Sequence, residues 1–217
     1  MSTPHDLSPI YSAGEPLTTA AGAVVLLHGR GASAADILGL SRAFSHLNLA
    51  FVAPEAAGNA WYPLSFLAPR QQNEPYLSSA LNKIDRVVKG LVGSGMPAER
   101  IAIAGFSQGA CLATEFVASH PARYAGMIAF TGGLIGAPDE DLHHNGDLAG
   151  TPALFLSGDP DPHVPWSRVQ QSAQELQRMG ATVTSHRYPG KPHSVSPDEI
   201  DRAVAFLANA FAQDASK

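Results

Sequence analysis

Short apolar segments alternate along this chain with longer segments in which apolar residues recur every three or four positions. Most of the short segments are apolar throughout, which is typical of strands that are covered on both faces in a parallel sheet. Only the last of them alternates between apolar and polar residues, so we expect it to lie nearer a sheet edge. The predicted strands lie near residues 23–28, 49–53, 101–106, 126–131, 153–157 and 182–188.

The longer segments predict helices. The second of them has one apolar stripe, because its apolar residues are spaced three and four apart. The last begins with Ser196 as a cap and Pro197 in its first turn, where Asp198 and Glu199 complement the helix dipole. Strands alternating with helices predict a mainly parallel α/β sheet with helices on both faces and right-handed crossovers. The predicted helices lie near residues 34–47, 77–94, 108–119, 166–179 and 197–212.

Two predicted connections are unusually long, at roughly residues 54–76 and 132–150. Connections of this length inside a globular domain are mostly functional or disordered. The first is too apolar to be disordered, so it forms either an irregular part of the core or a wall of a substrate pocket. Its large apolar residues, which are the candidate pocket residues, are Trp61, Tyr62, Phe66 and Leu67.

The composition narrows the class of protein. A chain of 217 residues with 45% hydrophobic content can bury a sizeable core, and we expect a single domain over residues 1–217. A net charge of −5 does not supply the basic surface that binds nucleic acid, so no nucleic-acid partner is expected. Every apolar run is well short of the ~20 residues of a membrane span, so no stable membrane insertion is expected.

Cysteine usage and the first residues bear on the compartment. Cys111 is the only cysteine, so the chain cannot form an internal disulfide. The first residues show no basic segment followed by an apolar one, so no secretory signal is expected. Both observations fit a cytoplasmic location. The oligomeric state is left open, including a homodimer.

The segment GFSQGA places Ser107 in a G-x-S-x-G motif between a predicted strand and a predicted helix. In this context the motif forms a nucleophile elbow, a sharp turn that lifts the serine hydroxyl above the sheet. Gly105 and Gly109 allow neighbouring elements to pack closely around the turn. The N-terminus of the following helix can stabilise a developing negative charge. Ser107 is therefore the candidate nucleophile, and the alternative is a small residue at a glycine-rich turn.

A serine hydroxyl needs a base, and the base needs a group that orients it. In an α/β-hydrolase arrangement an Asp or Glu and then a His follow the serine, each after a later strand. The segment GDPDPHVP places Asp159 and Asp161 directly after a predicted strand, and either fits the position of the acid. His193 lies between the last strand and the last helix, so it is the candidate base.

The other histidines lie in less suitable positions. His163 is too close in sequence to Asp161 to be oriented by it. His143 and His144 form a pair in a polar loop, where a solvated pair is favoured over a metal site. His28, in the segment LLHGRGAS, is expected to hold that loop in shape. The remaining histidines are His5 in the N-terminal arm, His46 and His120 at helix ends and His186 within a strand.

Acyl transfer also requires an oxyanion hole made of two N–H donors. One donor is expected to be the N–H of Gln108, the residue after the nucleophile. The other is expected from the loop after the first strong strand, where Arg30 lies between two glycines. The N–H of Arg30 is therefore the second candidate donor.

These residues together resemble the phospholipase/carboxylesterase family of α/β-hydrolases, which also contains the acyl-protein thioesterases. GFSQGA is similar to the family's G-F-S-Q-G-[GA], GDPDPHVP to its G-x-x-D-x-x-V-P, and HGRG to its oxyanion loop H-G-x-G. The resemblance covers most of the chain, from about Val24 to Phe211. It assigns the role of the acid to Asp161 and that of the base to His193.

Three positions depart from the family pattern. Ser157 stands where the family often has histidine, which is expected to alter packing only. Pro192 stands where glycine is usual and stiffens the loop before His193. Arg30 replaces a commonly apolar residue, and its side chain either is solvated or reaches a substrate carboxylate or phosphate.

The resemblance implies a compact α/β-hydrolase fold without a separate cap domain. It implies a serine carboxylesterase that hydrolyses small to medium carboxylic esters through an acyl-serine intermediate, so the partner is a small-molecule ester and no metal or cofactor is needed. A thioesterase or a lysophospholipase passes through the same intermediate, so both alternatives stay open. Outside enzymes, the alternative is a non-catalytic ligand-binding domain that has kept the fold.

Overall fold

Within residues 3–212, the part of the chain that the computed structural model describes, seven strands form one sheet. Their order across the sheet is β1-β3-β2-β4-β5-β6-β7, and β1 pairs antiparallel with β3 while the other pairs are parallel. The strands are β1 (Ile10–Gly14), β2 (Gly22–Leu27), β3 (Leu49–Pro54), β4 (Ile101–Phe106), β5 (Gly126–Phe130), β6 (Pro152–Asp159) and β7 (Thr182–Pro189).

Helices cover both faces of the sheet. They are α1 (Ala34–Leu38), α2 (Tyr76–Gly93), α3 (Gln108–Ser119), α4 (Trp166–Arg178) and α5 (Pro197–Ala212). The core on one face contains side chains of α2, α3 and α4, and the core on the other contains those of α1 and α5. Successive residues of β2 point alternately into the two cores and all are buried, so the continuous apolar run of this strand matches its position inside the sheet.

The predicted mainly parallel α/β sheet with helices on both faces is confirmed. The structure adds the edge strand β1, which the sequence analysis missed because its residues are mostly exposed and carry little apolar signal. The predicted helix at 34–47 is also divided, since α1 continues as the 3₁₀ segment Gly39–Leu47. At the other edge, β7 alternates between half-buried and exposed residues except at Thr184 and Ser185, which are both exposed.

Parallel strands bring the candidate functional residues to one edge of the sheet. β2, β4, β6 and β7 run in the same direction, so the segments that follow their carboxyl ends lie side by side. Residues 28–31 follow β2, Ser107 follows β4, Asp161 follows β6 and His193 follows β7. Residues that are far apart in the sequence therefore meet at the carboxyl edge of the sheet.

Candidate active site

Ser107 lies at a sharp turn between β4 and α3. Its φ of 54° and ψ of −117° place a non-glycine residue at positive φ, a conformation that is sterically costly for an L-amino acid. The Ser107 N–H donates a hydrogen bond to the carbonyl oxygen of Phe130 on β5, over 3.0 Å. The strand–turn–helix context of the predicted nucleophile elbow is therefore present, and the neighbouring strand holds the strained residue in place.

The two glycines of the motif are required by close backbone contacts. A Cβ atom at Gly109 would lie 2.1 Å from the carbonyl oxygen of Leu27 on β2. A Cβ atom at Gly105 would lie 2.4 Å from the carbonyl group of Gly109. Any side chain at either position would therefore push α3 away from the sheet.

His193 links the serine to the aspartate. Its Nε2 atom lies 2.8 Å from Ser107 Oγ, and its Nδ1 atom lies 2.8 Å from Asp161 Oδ2. Because an ionised carboxylate can only accept, Nδ1 donates to Asp161, which leaves the lone pair of Nε2 facing the serine hydroxyl. This is the geometry in which a histidine can take the proton of a serine.

Asp161 has hydrogen-bond donors on both carboxylate oxygens. Its side chain is fully buried, and its Oδ1 atom accepts from the N–H groups of His163 and Val164 at 2.9 and 2.8 Å. Burial raises the pKa of this carboxyl group, but the hydrogen bonds from the His163 N–H, the His193 ring and the Val164 N–H outweigh burial and lower its pKa. Asp161 therefore stays ionised beside the imidazole.

Asp159, the other aspartate in the same segment, forms an ion pair with Arg187 on β7. Asp159 is the last residue of β6, whereas Asp161 lies beyond the strand and its side chain reaches the histidine. Strand position alone left both aspartates open and the family resemblance assigned the role to Asp161; the structure places only Asp161 in contact with His193.

An ion pair anchors the loop that carries His193, and two neighbouring rings lie beside its imidazole. Lys191 Nζ lies 3.0 Å from the carboxylate of Glu199, which is fully buried at the start of α5. The rings of Phe106 and His163 flank the imidazole, with centroids 5.2 and 4.8 Å from its own. These contacts restrict the imidazole to the orientation in which it meets both partners.

The loop after β2 packs against the serine. A Cβ atom at Gly29 would lie 3.6 Å from Ser107 Cβ, so the backbone of this loop is next to the nucleophile. His28 holds the loop, because its Nδ1 lies 2.8 Å from the Gly29 carbonyl oxygen and its Nε2 accepts the Ala56 N–H at 3.1 Å. Burial lowers the pKa of His28, so the ring stays neutral and keeps this accepting nitrogen.

The two candidate oxyanion donors also hold the pocket wall with their side chains. The guanidinium of Arg30 donates to the carbonyl oxygens of Pro63 and Leu64, at 2.8 and 2.5 Å. Arg30 is exposed, as expected of a solvated arginine, and its guanidinium in addition binds two carbonyl oxygens of the pocket wall, which the sequence did not indicate.

The side-chain amide of Gln108 spans the next part of the same wall. It accepts from the Trp61 N–H at 2.9 Å and donates to the Tyr62 carbonyl oxygen at 2.8 Å. The sequence analysis considered only the backbone N–H of Gln108. Its side chain has long-range partners, 47 and 46 residues away, which no local pattern could indicate.

A cavity of about 630 Å³ opens beside Ser107 and His193. Three of the four candidate pocket residues, namely Tyr62, Phe66 and Leu67, line it together with Leu64 and Val164. Gly29, Arg30 and Gln108 line the same space. The long connection after β3 therefore contributes a wall of this cavity as well as part of the core.

Trp61 was predicted to line the pocket, but it is not among the residues that line the cavity. It is fully buried behind the cavity, and its indole N–H donates to the His28 carbonyl oxygen at 2.9 Å. His5, placed by the sequence only in an N-terminal arm, is also fully buried there, with Nε2 at 2.9 Å from the Trp61 carbonyl oxygen. Both residues support the wall from behind.

The prediction of a solvated histidine pair is wrong for His144, which forms a buried ion pair with Glu115. Its Nε2 lies 2.9 Å from Glu115 Oε1, and the Arg70 guanidinium lies 2.5 Å from the same oxygen. Burial raises the pKa of Glu115, but hydrogen bonds from His144 and Arg70 outweigh burial and lower its pKa. The single acidic residue in the middle of α3 was the one sequence signal for this cluster.

No group of three or more His, Cys, Asp or Glu side chains in residues 3–212 is arranged to hold a metal ion. No helix in the same range is long and apolar enough to cross a membrane.

Comparison with known proteins agrees with this architecture. A curated relative, acyl-protein thioesterase 1 of Saccharomyces cerevisiae, is 31% identical over 183 residues, which is 76% of this chain and 78% of the relative. A probable SOBER1-like carboxylesterase of Arabidopsis thaliana is 26% identical over 85% of this chain and 77% of its own length. The crystal structure of a phospholipase/carboxylesterase from Dyadobacter fermentans superimposes with a TM-score of 0.90 at 47% identity, covering 95% of this chain and 98% of that one.

The fold and the family comparisons define a serine hydrolase with the α/β-hydrolase fold. A family model described as Phospholipase/Carboxylesterase matches residues 12–211, and the chain belongs to that family. The family resemblance and the fold expected from the motifs are therefore confirmed.

Proposed function

We propose that this protein hydrolyses carboxylic esters through an acyl-enzyme formed on Ser107. The observation that carries the proposal is the continuous hydrogen-bond chain from Ser107 Oγ through His193 to Asp161, with both distances at 2.8 Å. Its position at the edge of a 630 Å³ cavity provides room for an acyl group beside the nucleophile.

In the first half of the reaction, His193 Nε2 takes the proton of Ser107 as Oγ attacks the acyl carbon. The resulting imidazolium is stabilised by Asp161, which remains ionised and keeps Nδ1–H in place. His193 then gives its proton to the leaving alcohol oxygen, and the acyl group stays on Ser107. In the second half, His193 takes a proton from water as the water attacks the acyl-serine, and returns that proton to Ser107 Oγ.

The negative charge of each tetrahedral intermediate requires donors on the side of the loop after β2. We assign these to the N–H groups of Arg30 and Gln108, since both residues line the cavity next to Ser107. Gln108 also begins α3, where the helix dipole favours negative charge. Loss of one such donor typically costs ~10²–10³ in rate.

The apolar wall favours short to medium acyl groups. Phe66 and Leu67 line the cavity, and Tyr62 belongs to the same lining. Apolar walls with few polar groups bind the hydrocarbon part of a ligand through the hydrophobic effect. No step of this scheme calls for a metal or a cofactor.

A thioester substrate is the second candidate, and the relatedness to a yeast protein named acyl-protein thioesterase 1 favours it. The acyl-serine and the residues that form it are the same for both substrates. Matched butyryl oxygen and thio esters therefore measure the preference directly, through the ratio of their kcat/KM values.

Replacement of Ser107 by alanine tests the proposal. We expect hydrolysis of p-nitrophenyl butyrate to fall by at least ~10³-fold, because removal of the nucleophile leaves only binding and oxyanion stabilisation. Ser45→Ala is the matched control, since Ser45 lies on the exposed 3₁₀ segment away from the cavity. Equal activity of Ser107→Ala and the unaltered protein would overturn the proposal.

A further inference from the structure

A buried segment at residues 134–137, in the long connection after β5, is held in place mainly by side chains. It contains no strand or helix, yet each of its backbone N–H and carbonyl groups has a hydrogen-bond partner. Complete pairing of this kind fixes the conformation of an irregular segment. The side chains that bind it are those of Arg70, Glu115, Glu140, Arg168 and Ser172.

Glu115, from the middle of α3, holds one residue of this segment together with Arg70. The Oε2 atom of Glu115 accepts the N–H of Ile135 at 3.1 Å, and the Arg70 guanidinium donates to the carbonyl oxygen of Ile135 at 2.8 Å. Arg70 also forms the ion pair with Glu115 Oε1, in which His144 takes part. The side chain of Glu115 is fully buried, so solvent does not compete for these bonds.

Arg168 binds the same segment from α4. It is buried, and its guanidinium donates to the carbonyl oxygens of Leu134, Gly136 and Ala137 at 3.0, 2.7 and 3.2 Å. Exchange of buried ionic groups for apolar residues of similar volume is often neutral or stabilising, so such groups add little to the stability of a fold. Their convergence on one short segment instead matches a requirement for one defined backbone position.

This segment is joined to the wall of the cavity beside Ser107. The Gly136 N–H donates to the carbonyl oxygen of Phe66 at 2.8 Å. Phe66 lines the cavity and belongs to the long connection after β3, which also contains Arg70. The two long connections are therefore joined at a residue that lines the cavity, and the charged side chains act on that residue through the segment at 134–137.

Helix α3 relates this wall to the nucleophile. Ser107 lies directly before α3, and Glu115 lies on the same helix, about 12 Å further along its axis at a rise of 1.5 Å per residue. A single helix keeps such a distance constant. Through Glu115 and the segment at 134–137, Phe66 is held at a defined distance from an acyl group on Ser107.

We propose that Glu115 and Arg70 are positioning residues, which hold Phe66 against the acyl chain of the substrate and so set the preference for longer acyl groups. An acetyl group has little apolar surface to place against Phe66, so the effect grows with the length of the acyl chain. This inference rests on the proposed acyl-serine function, since it assumes that the acyl group occupies the cavity.

Arg70→Met tests the proposal, because it removes the donors to Ile135 and Glu115 and keeps an apolar stem. The values of kcat and KM are measured for p-nitrophenyl acetate, butyrate and octanoate. We expect KM for octanoate to rise about 4- to 15-fold, the effect of withdrawing one or two methylene groups from apolar contact. Both constants for acetate, and kcat for octanoate, are expected to change less than about twofold, since only binding of the chain is weakened.

Glu115→Gln is the second variant, because it removes the charge that both Arg70 and His144 bind while it keeps the volume of the side chain. The same selective rise in KM is expected. A variant that had only lost stability would lower the rates of all three esters by one common factor. Arg202→Met is the matched control, since it breaks an arginine–carboxylate pair on the surface of α5 and is expected to leave all three esters unaffected.

Binding of p-nitrophenyl octanoate to Ser107→Ala separates this inference from the proposed function, because binding requires no turnover. Weaker binding after addition of Arg70→Met would support the positioning role even where hydrolysis does not depend on Ser107. Loss of that dependence alone would overturn only the proposed function. Equal changes for acetate and octanoate in both variants, or an unchanged KM for octanoate in both, would overturn the positioning role.

Discussion

Ser107 combines two properties that a small polar residue at an ordinary turn would not have. It occupies a positive φ, and its hydroxyl faces an imidazole nitrogen at 2.8 Å. The strain is maintained because the surrounding backbone is packed at distances that exclude any side chain at Gly105 and Gly109. At the scale of single residues, the glycines therefore fix the geometry of the elbow as firmly as the hydrogen bonds do.

Substitution of Gly109 by alanine tests this close packing. The new Cβ would meet backbone atoms of β2 at 2.1 Å, so we expect the free energy of unfolding to fall by at least about 3 kcal/mol. Gly90 is the matched control, because it lies on the exposed face of α2 and a Cβ there meets nothing within 4 Å. Gly90→Ala is expected to stabilise the protein by about 0.5–1 kcal/mol. Urea unfolding of both variants measures the difference, and similar effects of the two substitutions would contradict this account.

At the scale of elements, the pocket wall is held by side chains that bind backbone groups of a loop. The segment from Trp61 to Leu67 contains no strand and no helix. Arg30, Gln108 and Asn73 bind its backbone groups instead, and Asn73 contacts both Leu64 and Ser65. Such side-chain partners replace the ladder that would hold a regular element. The shape of the cavity therefore depends on a few individual hydrogen bonds.

Arg30 connects this wall to the loop that carries a proposed oxyanion donor. Arg30→Ala keeps the backbone N–H but removes two charged donors from the carbonyl oxygens of Pro63 and Leu64. We expect kcat/KM for p-nitrophenyl octanoate to fall about 5- to 30-fold, and that for the acetate to change much less, because only the longer chain uses the wall. This range is lower than for a buried charged donor, because Arg30 is exposed and solvent weakens its hydrogen bonds.

The control for Arg30→Ala is Arg42→Ala, on the exposed part of the 3₁₀ segment Gly39–Leu47. It is expected to leave both esters unaffected. An equal loss on acetate and octanoate would show that Arg30 acts through the oxyanion loop and not through the wall.

At the scale of the whole molecule, buried ionisable groups tie the long connections to the helical layers. The Arg70–Glu115–His144 cluster joins both long connections to α3, the helix that follows the nucleophile. His5 joins the N-terminal arm to the connection after β3, since its Nδ1 accepts the Ala57 N–H at 3.0 Å. These contacts link parts of the chain that the sheet itself does not connect.

His144 and His5 are predicted to affect the pH dependence of stability in opposite directions. Burial lowers the pKa of His144, but the hydrogen bond to Glu115 outweighs burial and raises its pKa above 6.5. The stabilisation from His144 is thus complete below pH 6.5 and is lost as the pH rises through the raised pKa. Burial lowers the pKa of His5, so its stabilisation is present above pH 6.5 and is lost as the pH falls towards the lowered pKa.

Urea unfolding between pH 5 and 8 of the unaltered protein, His144→Asn and His5→Asn measures both effects. The difference in unfolding free energy between the unaltered protein and His144→Asn should be largest at the acidic end. The corresponding difference for His5→Asn should be largest at the alkaline end. Parallel pH profiles for the two variants would show that these histidines do not titrate as described.

The regular elements were largely predictable, because burial on both faces of a parallel strand leaves a continuous apolar run in the sequence. The strand β1 was not, since its position depends on backbone pairing with β3 and its side chains are mostly exposed. The candidate nucleophile and base were predictable from motif context and chain order. Trp61 was misassigned because an apolar side chain in a loop has the same sequence signature whether it lines a cavity or supports it from behind.

What the sequence by itself determined is the alternation of strands and helices from β2 onward, the elbow at Ser107 and the family to which the chain belongs. These features are encoded locally, through apolar periodicity, turn glycines and short motifs. Only the tertiary structure decided that Arg30 holds the pocket wall, that Trp61 supports this wall from behind and that His144 pairs with the buried Glu115. The physical reason is that each of these depends on partners that are distant in the chain and are brought together only when the sheet and its helices pack.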